Sequence, residues 1–168
     1  MRTGATVGAA CAASALPGFA QVIADGATSK PAAAARIALN QVVIAADPAL
    51  PVYVQHRVQD LRDYLAEITG APPPLVPALP EKSGAYIVVG AKLAEQALGS
   101  GLAPHQLGAE GFLIKSQVRD GRTCVAVAGA APAGTKFGLA SLAGMISVTD
   151  TTPFIAGPLD LVSRPSIA

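Results

Sequence analysis

Apolar residues recur with the period of an α-helix between Val52 and Thr69. The spacings are four, three, four and three for Val54, Val58, Leu61, Leu65 and Ile68. These side chains therefore share one helix face, and charged residues take the other. Gly70 follows at the position where helices often end in a left-handed residue. The pattern predicts a helix over Val52 to Thr69 that Gly70 terminates.

A second patterned stretch, residues 108–146, reads as strand, turn, strand, short loop and helix. Residues 111–118 form the first predicted strand. Asp120-Gly121 favours a type I′ hairpin turn, which needs positive φ at both central residues. Residues 123–128 are almost wholly small and apolar, which indicates a strand buried on both faces. Pro132 then opens a predicted helix whose apolar residues are Phe137, Leu139, Leu142, Met145 and Ile146.

The remaining segments are shorter. Residues 36–46 are either one long strand or a strand pair broken near Asn40, and residues 75–79 are a short edge strand between prolines. Residues 85–89 are a central strand, 91–98 a short helix and 158–162 a last strand, while 99–108 and 149–157 are loops. We expect an α+β domain with a mixed sheet of about five to seven strands. The helices starting near Val52, Ala91 and Gly134 are expected to cover one face of that sheet.

The N-terminus is typical of an export signal. Arg2 precedes a small-residue apolar stretch over residues 5–19, and Gly18-Phe19-Ala20 fits a cleavage site before Gln21. The stretch is too short to span a bilayer. We interpret residues 1–20 as a signal-peptide-like segment and 21–35 as a linker, which predicts a periplasmic or secreted protein. A lipoprotein cysteine at Cys11 and an Ala-rich N-terminus without an export role are the alternatives.

Composition narrows the possible partners. The chain has 168 residues, 51% hydrophobic and 14% charged, which suits one domain with a substantial core. A net charge of +1 gives no reason to expect a nucleic-acid partner. Aromatic residues make up 4% and Trp is absent, which disfavours a free-standing sugar-binding module. If the signal is removed, Cys124 is the only remaining cysteine, so no internal disulfide is possible.

The carboxylates form no convincing catalytic pair. Asp60 and Asp63 share a helix face beside Arg57 and Arg62, a pattern typical of a solvated ion-pair surface. Glu110 begins a strand, where capping or pairing is favoured over catalysis. We therefore assign no catalytic residue.

Residues 129–136, G-A-A-P-A-G-T-K, approach the phosphate-binding loop G-x-x-x-x-G-K-[ST]. Thr135 and Lys136 are transposed, however, and Pro132 removes an amide that such a cradle uses. Val88-Val89-Gly90 before a helix holds only one of the three glycines of a dinucleotide turn. We assign no cofactor-binding residue and expect no cofactor.

The nucleophiles and metal-ligand types are also isolated. His56 and His105 lack a Cys or carboxylate pattern that would complete a metal site. His56 is expected at the flank of the buried helix stripe, in a structural role. Cys124 is expected to pack as a small hydrophobe. Ser141 and Ser163 lack a nucleophile elbow.

The runs EGFLIK, DGR and AGAAPAGTKFGLASLAGMI resemble the end of the small α/β domain that precedes the catalytic barrel in some exo-acting glycoside hydrolases. Those enzymes are the bacterial β-N-acetylhexosaminidases, the α-glucuronidases and the hyaluronidase-like O-GlcNAcases. The shared motif is G-x-x-P-x-G-x-x-[YF]-G, matched here by Gly129, Pro132, Gly134, Phe137 and Gly138. A second motif, L-x-x-Y-L-x-x-I-T-G, is matched by Leu61, Tyr64, Leu65, Ile68, Thr69 and Gly70.

The resemblance implies a non-catalytic N-terminal domain over residues 36–165, with 166–168 starting a link to a catalytic barrel. Pro158, Leu159, Leu161, Val162, Arg164 and Pro165 echo the family's exit into that barrel, with Ser163 where an acidic residue often lies. Because the chain stops at Ala168, we expect a barrel of about 300 residues to be cut away or not encoded. The expected partner is that barrel, and carbohydrate is contacted only indirectly.

Two rivals remain open from the sequence. One is a stand-alone exported module that binds a glycan or a protein, and the other is an unrelated small α/β enzyme. A domain that accompanies a barrel should expose an apolar patch around the last helix. A stand-alone module should instead have a closed polar surface and a pocket with convergent hydrogen-bonding groups.

Overall fold

A six-stranded mixed sheet forms the centre of the fold in the computed structural model, which describes residues 35–81, 84–99 and 102–164. In spatial order its strands are β3 (Leu75–Val76), β2 (Val43–Ala46), β4 (Gly84–Val89), β6 (Arg122–Gly129), β5 (Phe112–Arg119) and β9 (Asp160–Ser163). The first four are parallel, β5 is antiparallel to β6, and β9 is antiparallel to β5. The predicted α+β class and mixed sheet are confirmed, and β3 is an edge strand as expected.

The predicted hairpin turn joins β5 to β6. Asp120 and Gly121 have φ values of 51° and 71°, the positive angles that a type I′ turn requires. Both faces of β6 are buried: Val125 and Val127 belong to one apolar cluster, and Cys124 and Ala126 to another. The interpretation of residues 123–128 as a central strand is therefore confirmed.

A second, three-stranded antiparallel sheet was not expected. Its order is β1 (Ala35–Ala38), β8 (Thr152–Gly157) and β7 (Ile146–Thr149). The prediction of a loop over 149–157 was wrong, and so was the inclusion of Ile146 in the last helix. Ile155 of β8 pairs with Ile37 of β1 and Ile146 of β7, and all three are buried. Burial of this apolar row fixes a hairpin that Pro153 and Gly157 disguise in the sequence.

Three α-helices accompany the sheets: α1 (Val52–Thr69), α2 (Ala91–Leu98) and α3 (Pro132–Gly144). The bounds of α1 and α2 match the prediction. Gly70 has φ 80° and donates its N–H to the Ala66 carbonyl at 2.8 Å, so it ends α1 as expected. A short 3₁₀ helix, Pro104–Leu107, lies within the predicted loop over 99–108.

The helices cover both faces of the large sheet, so the prediction of a single covered face was wrong. On one face α1, α3 and the small sheet enclose a cluster that contains Ile87 and Val127. On the other, Leu93 and Ala94 of α2 pack with Val88. The reason is the sheet itself, because central strands that are apolar on both faces need a layer on each side.

The predicted signal-peptide-like segment 1–20, nearly all of the linker 21–35 and residues 166–168 lie outside the described residues. These boundaries, like those of the domain over 36–165, stay predictions. Within the described ranges, no helix combines the length and apolar character needed to cross a membrane.

Candidate docking surface on the last helix

Glycines allow α3 to pack closely on the sheet. A Cβ on Gly134 would collide with the Gly111 carbonyl oxygen, and one on Gly138 would lie 2.7 Å from Val127 Cγ1 and 3.3 Å from Phe112 Cβ. The contacts with Gly111 and Val127 would be shorter than packed atoms allow, and the contact with Phe112 would require that residue to shift by a few tenths of an ångström. Because they lack a Cβ, Gly134 and Gly138 of the motif let α3 lie close to β5 and β6.

The loop before α3 is occupied by its own hydrogen bonds. Gly129 donates its N–H to Thr135 Oγ1 at 3.1 Å in a buried position, and Ala130 donates its N–H to the Gly111 carbonyl at 3.2 Å. Lys136 Nζ lies 5.5 Å from the Phe137 ring centroid, along the outside of the helix. The amides of Gly129 and Ala130 are therefore engaged within the protein, and these bonds anchor the start of α3.

The outward side of α3 is apolar and exposed. Leu139 and Leu142 face the core, whereas Phe137 keeps 40% of its surface exposed and Ala140 is also exposed. Tyr64 of the neighbouring α1 is 38% exposed. We call the set Tyr64, Phe137, Ala140, Ser141 and Ala143 the α3 surface. It lies where an exposed apolar patch is expected if the domain accompanies a barrel.

One groove borders this surface on the side of β9, with a volume of about 580 Å³. It is lined by Glu110, Phe112, Phe137, Ala140, Ser141 and Ser163. The structure thus brings together Glu110, Ser141 and Ser163, for which the sequence predicts no common site. They form a polar margin around two phenylalanines, and we call this the β9 groove.

A second, smaller groove of about 110 Å³ separates α1 from α3. It is lined by Arg57, Asp60, Leu61, Tyr64, Leu139, Ala140 and Ala143. Arg57 Nη1 lies 2.9 Å from Asp60 Oδ2 at its margin, and both side chains are more than half exposed. Because Ala140 lines both grooves, the two form one continuous surface across α3.

Asp60 and Asp63 lie on the exposed face of α1, and each has a polar partner there. Asp60 pairs with Arg57, and Asp63 accepts a hydrogen bond from Gln59 Nε2 at 2.6 Å. Arg62 instead donates Nε–H to the Pro73 carbonyl at 2.8 Å, tying α1 to the chain that follows it. Asp60 and Asp63 thus lie on a solvated face with polar partners, the arrangement that the sequence predicts.

The histidines and the cysteine are separated in the fold. His56 and His105 are both exposed, so His56 lies on the solvent side of α1 and not at the flank of the buried stripe as expected. Cys124 is buried between β4 and β5, and burial raises the pKa of its thiol to about 12. Among residues 35–81, 84–99 and 102–164, no three His, Cys, Asp or Glu side chains converge as metal ligands would.

Another cavity, of about 270 Å³, lies at the start of α1 and was not anticipated from the sequence. Its polar side chains are hydrogen-bonded to the backbone of the loop before α1. Asp47 Oδ1 accepts the Ala49 N–H at 2.9 Å, and Gln55 Nε2 donates to the Leu50 carbonyl at 2.7 Å. Gly90, the single glycine of the dinucleotide-like turn, lies under this loop, since a Cβ there would be 3.2 Å from Asp47 Cβ. The α3 surface is therefore the stronger candidate site.

Comparison with known proteins finds a structural similarity at the level of the fold. Neither a protein-family model nor a curated protein matches this sequence. Among solved structures, a family GH115 4-O-methyl-α-glucuronidase with specificity for decorated arabinogalactans matches 76% of this chain with a TM-score of 0.59 and 20% identity. This chain has a fold that occurs within a glycoside hydrolase. The resemblance predicted from the sequence is confirmed at that level.

The match covers only part of the larger enzyme, since the chain spans 18% of the glucuronidase's length. A GH20 exo-β-N-acetylglucosaminidase from Vibrio harveyi matches 77% of this chain and 17% of its own, with a TM-score of 0.49 and 11% identity. A GH20 chitobiase from Flavobacterium johnsoniae matches 78% of this chain and 19% of its own, with a TM-score of 0.46 and 15% identity.

The sequence analysis does not predict that Tyr64 or Ala140 lies on an exposed surface. Tyr64 enters the sequence prediction only through the helix motif, and Ala140 does not enter it. A helical projection contains the signal, because Phe137, Ala140 and Gly144 follow one another at spacings of three and four, away from Leu139 and Leu142.

Proposed function

We propose that this chain is the non-catalytic N-terminal domain of an exported bacterial glycoside hydrolase, related in plan to the hexosaminidases and α-glucuronidases. Its role is to support a catalytic barrel that lies outside these 168 residues. The domain buries the α3 surface against that barrel and fixes the direction in which the chain enters it. Catalysis and carbohydrate binding belong to the barrel.

The exposed α3 surface carries this proposal. Phe137 and Tyr64 are exposed side by side with the two grooves that flank α3, and aromatic residues are enriched at protein interfaces. A glycosidase needs two carboxyl groups about 5 to 10 Å apart across a cleft. Asp60 and Asp63 have other partners on an open helix face, which supports a role other than catalysis.

The reading frame after Ala168 in the source DNA tests the proposal. We expect it to continue for about 300 residues, the size of a catalytic barrel, and to include an adjacent Asp-Glu pair if the enzyme is hexosaminidase-like. The product should release a sugar from an aryl glycoside, and the 168-residue chain should not.

A stop codon directly after Ala168 would overturn the proposal. The rival would then be a stand-alone exported module, and the β9 groove, with Glu110, Ser141 and Ser163 around its phenylalanines, is the feature that favours it. Glycan-array binding that is lost in Phe137→Ser and kept in Val118→Ser would support that rival.

A further inference from the structure

We infer that Asp120 and Gly121 form a site of spontaneous covalent modification, at which the aspartyl residue rearranges to isoaspartate through a cyclic imide. The site is the turn between β5 and β6, at the end of the hairpin remote from Phe112. The inference is independent of the proposed function. It follows from the exposure of the turn, from the residue after Asp120 and from the positions of the other aspartates.

The rearrangement needs no partner other than water. The backbone nitrogen of Gly121 attacks the side-chain carboxyl carbon of Asp120 and forms a C–N bond. The hydroxyl of the protonated carboxyl group and the proton of the nitrogen leave together as water, which closes a five-membered imide. When water then adds at the backbone carbonyl carbon of Asp120, the bond from that carbon to the Gly121 nitrogen breaks. The chain now continues through the side-chain carbonyl, and the former main-chain carbonyl is a free carboxylate. No electrons are transferred, and the net change is an isomerisation.

The turn leaves both reacting groups accessible. The Asp120 side chain is 80% exposed, and its carboxylate lies 3.5 Å from Nε of Arg119, which is itself exposed. A two-residue turn is closed by its flanking residues, here Arg119 and Arg122, and this closing bond does not use the N–H of Gly121. Even a Cβ built on Gly121 would meet nothing within 4 Å. The nitrogen is therefore open to the carboxyl group.

The fold removes these features from most of the other aspartates in the described residues. Asp47 precedes Pro48, which has no N–H. Asp60 and Asp63 lie within α1, where the next N–H groups are bonded inside the helix. Asp160 lies in β9, whose backbone is paired with β5. Of the aspartates in the described ranges, Asp150 alone shares a turn position with Asp120.

Asp150 provides a matched comparison in the turn between β7 and β8. Asp150 and Thr151 have φ values of 48° and 66°, close to the 51° and 71° of Asp120 and Gly121. Thr151, however, has a β-branched side chain, which crowds its own backbone nitrogen. We therefore expect Asp150 to rearrange at least about tenfold more slowly than Asp120, which corresponds to a barrier about 1.4 kcal/mol higher.

Rearrangement opens the end of the central hairpin. Isoaspartate adds a methylene group to the main chain, whereas a two-residue type I′ turn joins its strands only with the standard backbone. Arg119 and Arg122 then no longer face each other as the closing pair. We expect faster amide hydrogen exchange at residues 117–124 of the modified chain, and unchanged exchange in α1.

Storage of the 168-residue chain in H₂¹⁸O at neutral pH tests the inference, because imide hydrolysis transfers a solvent oxygen to the aspartyl residue. Digestion after lysine gives the peptide 116–136, in which Asp120 is the only aspartate. Asp150 falls in a different peptide, and so does Asp25-Gly26, which lies outside the described residues. We expect ¹⁸O and an isoaspartyl linkage in 116–136. Protein isoaspartyl methyltransferase with S-adenosylmethionine should methylate that peptide.

Substitution of Thr151 tests whether the residue after the aspartate decides the rate. Thr151→Gly should raise the labelling of Asp150 by about tenfold, to the level of Asp120. The thermal midpoint should not fall, because glycine adopts a φ of 66° without strain. Thr151→Ser, which keeps a side chain at the same position, is the matched control and should raise the labelling less.

Two results would overturn the inference. One is a peptide 116–136 that gains no ¹⁸O from the folded chain, and labelling of the same peptide in urea would then show that the hairpin protects the turn. The other is equal labelling of Asp120 and Asp150 in the unsubstituted chain. Neither result bears on the proposed function, which a reading frame that stops at Ala168 would overturn.

Discussion

Cys124 illustrates how burial sets the chemistry of one side chain in this fold. Its thiol lies in a central strand among apolar neighbours, and only 2% of the residue is exposed. Because a thiolate would lose its hydration there, burial raises the thiol pKa from 9.0 to about 12. A cysteine in this state is a packing residue and a poor nucleophile.

The raised pKa predicts a loss of stability at alkaline pH. Above pH 9 the thiol of the unfolded chain ionises while that of the folded chain stays protonated. The unfolded state then binds fewer protons, so the free energy of unfolding falls between pH 9 and about 12, by at most about 1.4 kcal/mol per pH unit. Below pH 9 this contribution does not change with pH.

Urea unfolding at pH 8 to 10.5 measures this effect in the chain and in Cys124→Ala, both carrying Cys11→Ser. The difference in unfolding free energy between the two proteins should shift against the chain that keeps Cys124 as the pH rises past 9. Burial, and to a lesser extent the neighbouring Cys124, also raise the pKa of Tyr86, so Cys124→Ala removes part of that shift as well and changes stability in the same direction. Parallel pH curves would contradict the prediction.

At the scale of elements, the contact between α3 and the large sheet depends on Gly138. A Cβ there would meet Val127 and Phe112, both within the sheet, so Gly138→Ala should lower the free energy of unfolding by about 1–3 kcal/mol. Gly144→Ala in the same helix is the control, because its Cβ would meet nothing within 4 Å. It should be neutral, or stabilising by up to about 1 kcal/mol through helix propensity.

Urea denaturation of the two variants measures the difference. Equal effects at the two positions would mean that α3 does not pack as closely on β5 and β6 as the structure indicates. The prediction gives the glycines of the sequence motif a physical role, since Gly134 and Gly138 leave room for the sheet.

Elements whose signals are local were predictable from the sequence. The stripe of α1, the cap at Gly70 and the Asp120-Gly121 turn each occupy a short stretch of chain. The small sheet was not predictable, because β1 and β8 lie at opposite ends of the described chain and are paired by tertiary packing. Similarly, apolar strands showed that both sheet faces are buried, but nothing in α2 indicated which face it covers.

At the scale of the whole molecule, the described residues form one layered domain with an exposed apolar surface. The large sheet lies between α2 on one side and α1, α3 and the small sheet on the other. The sequence predicted the apolar character of α3, but not which part of it stays exposed. That depends on the position of α1, which covers one flank of α3 and adds Tyr64 to the surface.

The proposed role requires this surface to be covered in the longer protein. Docking stabilises the covered elements against local opening, and amide hydrogen exchange reports such opening element by element. The α2 segment, on the opposite face of the sheet, provides an internal reference within the same protein.

The most direct measurement is hydrogen exchange by mass spectrometry on the 168-residue chain and on the polypeptide read through beyond Ala168. We predict that peptides from α3 and from the Tyr64 end of α1 exchange at least about tenfold more slowly in the longer polypeptide, whereas peptides from α2 do not change. Exchange in α3 that is equal in the two proteins would contradict the account, since the α3 surface would then not be what joins this domain to a barrel.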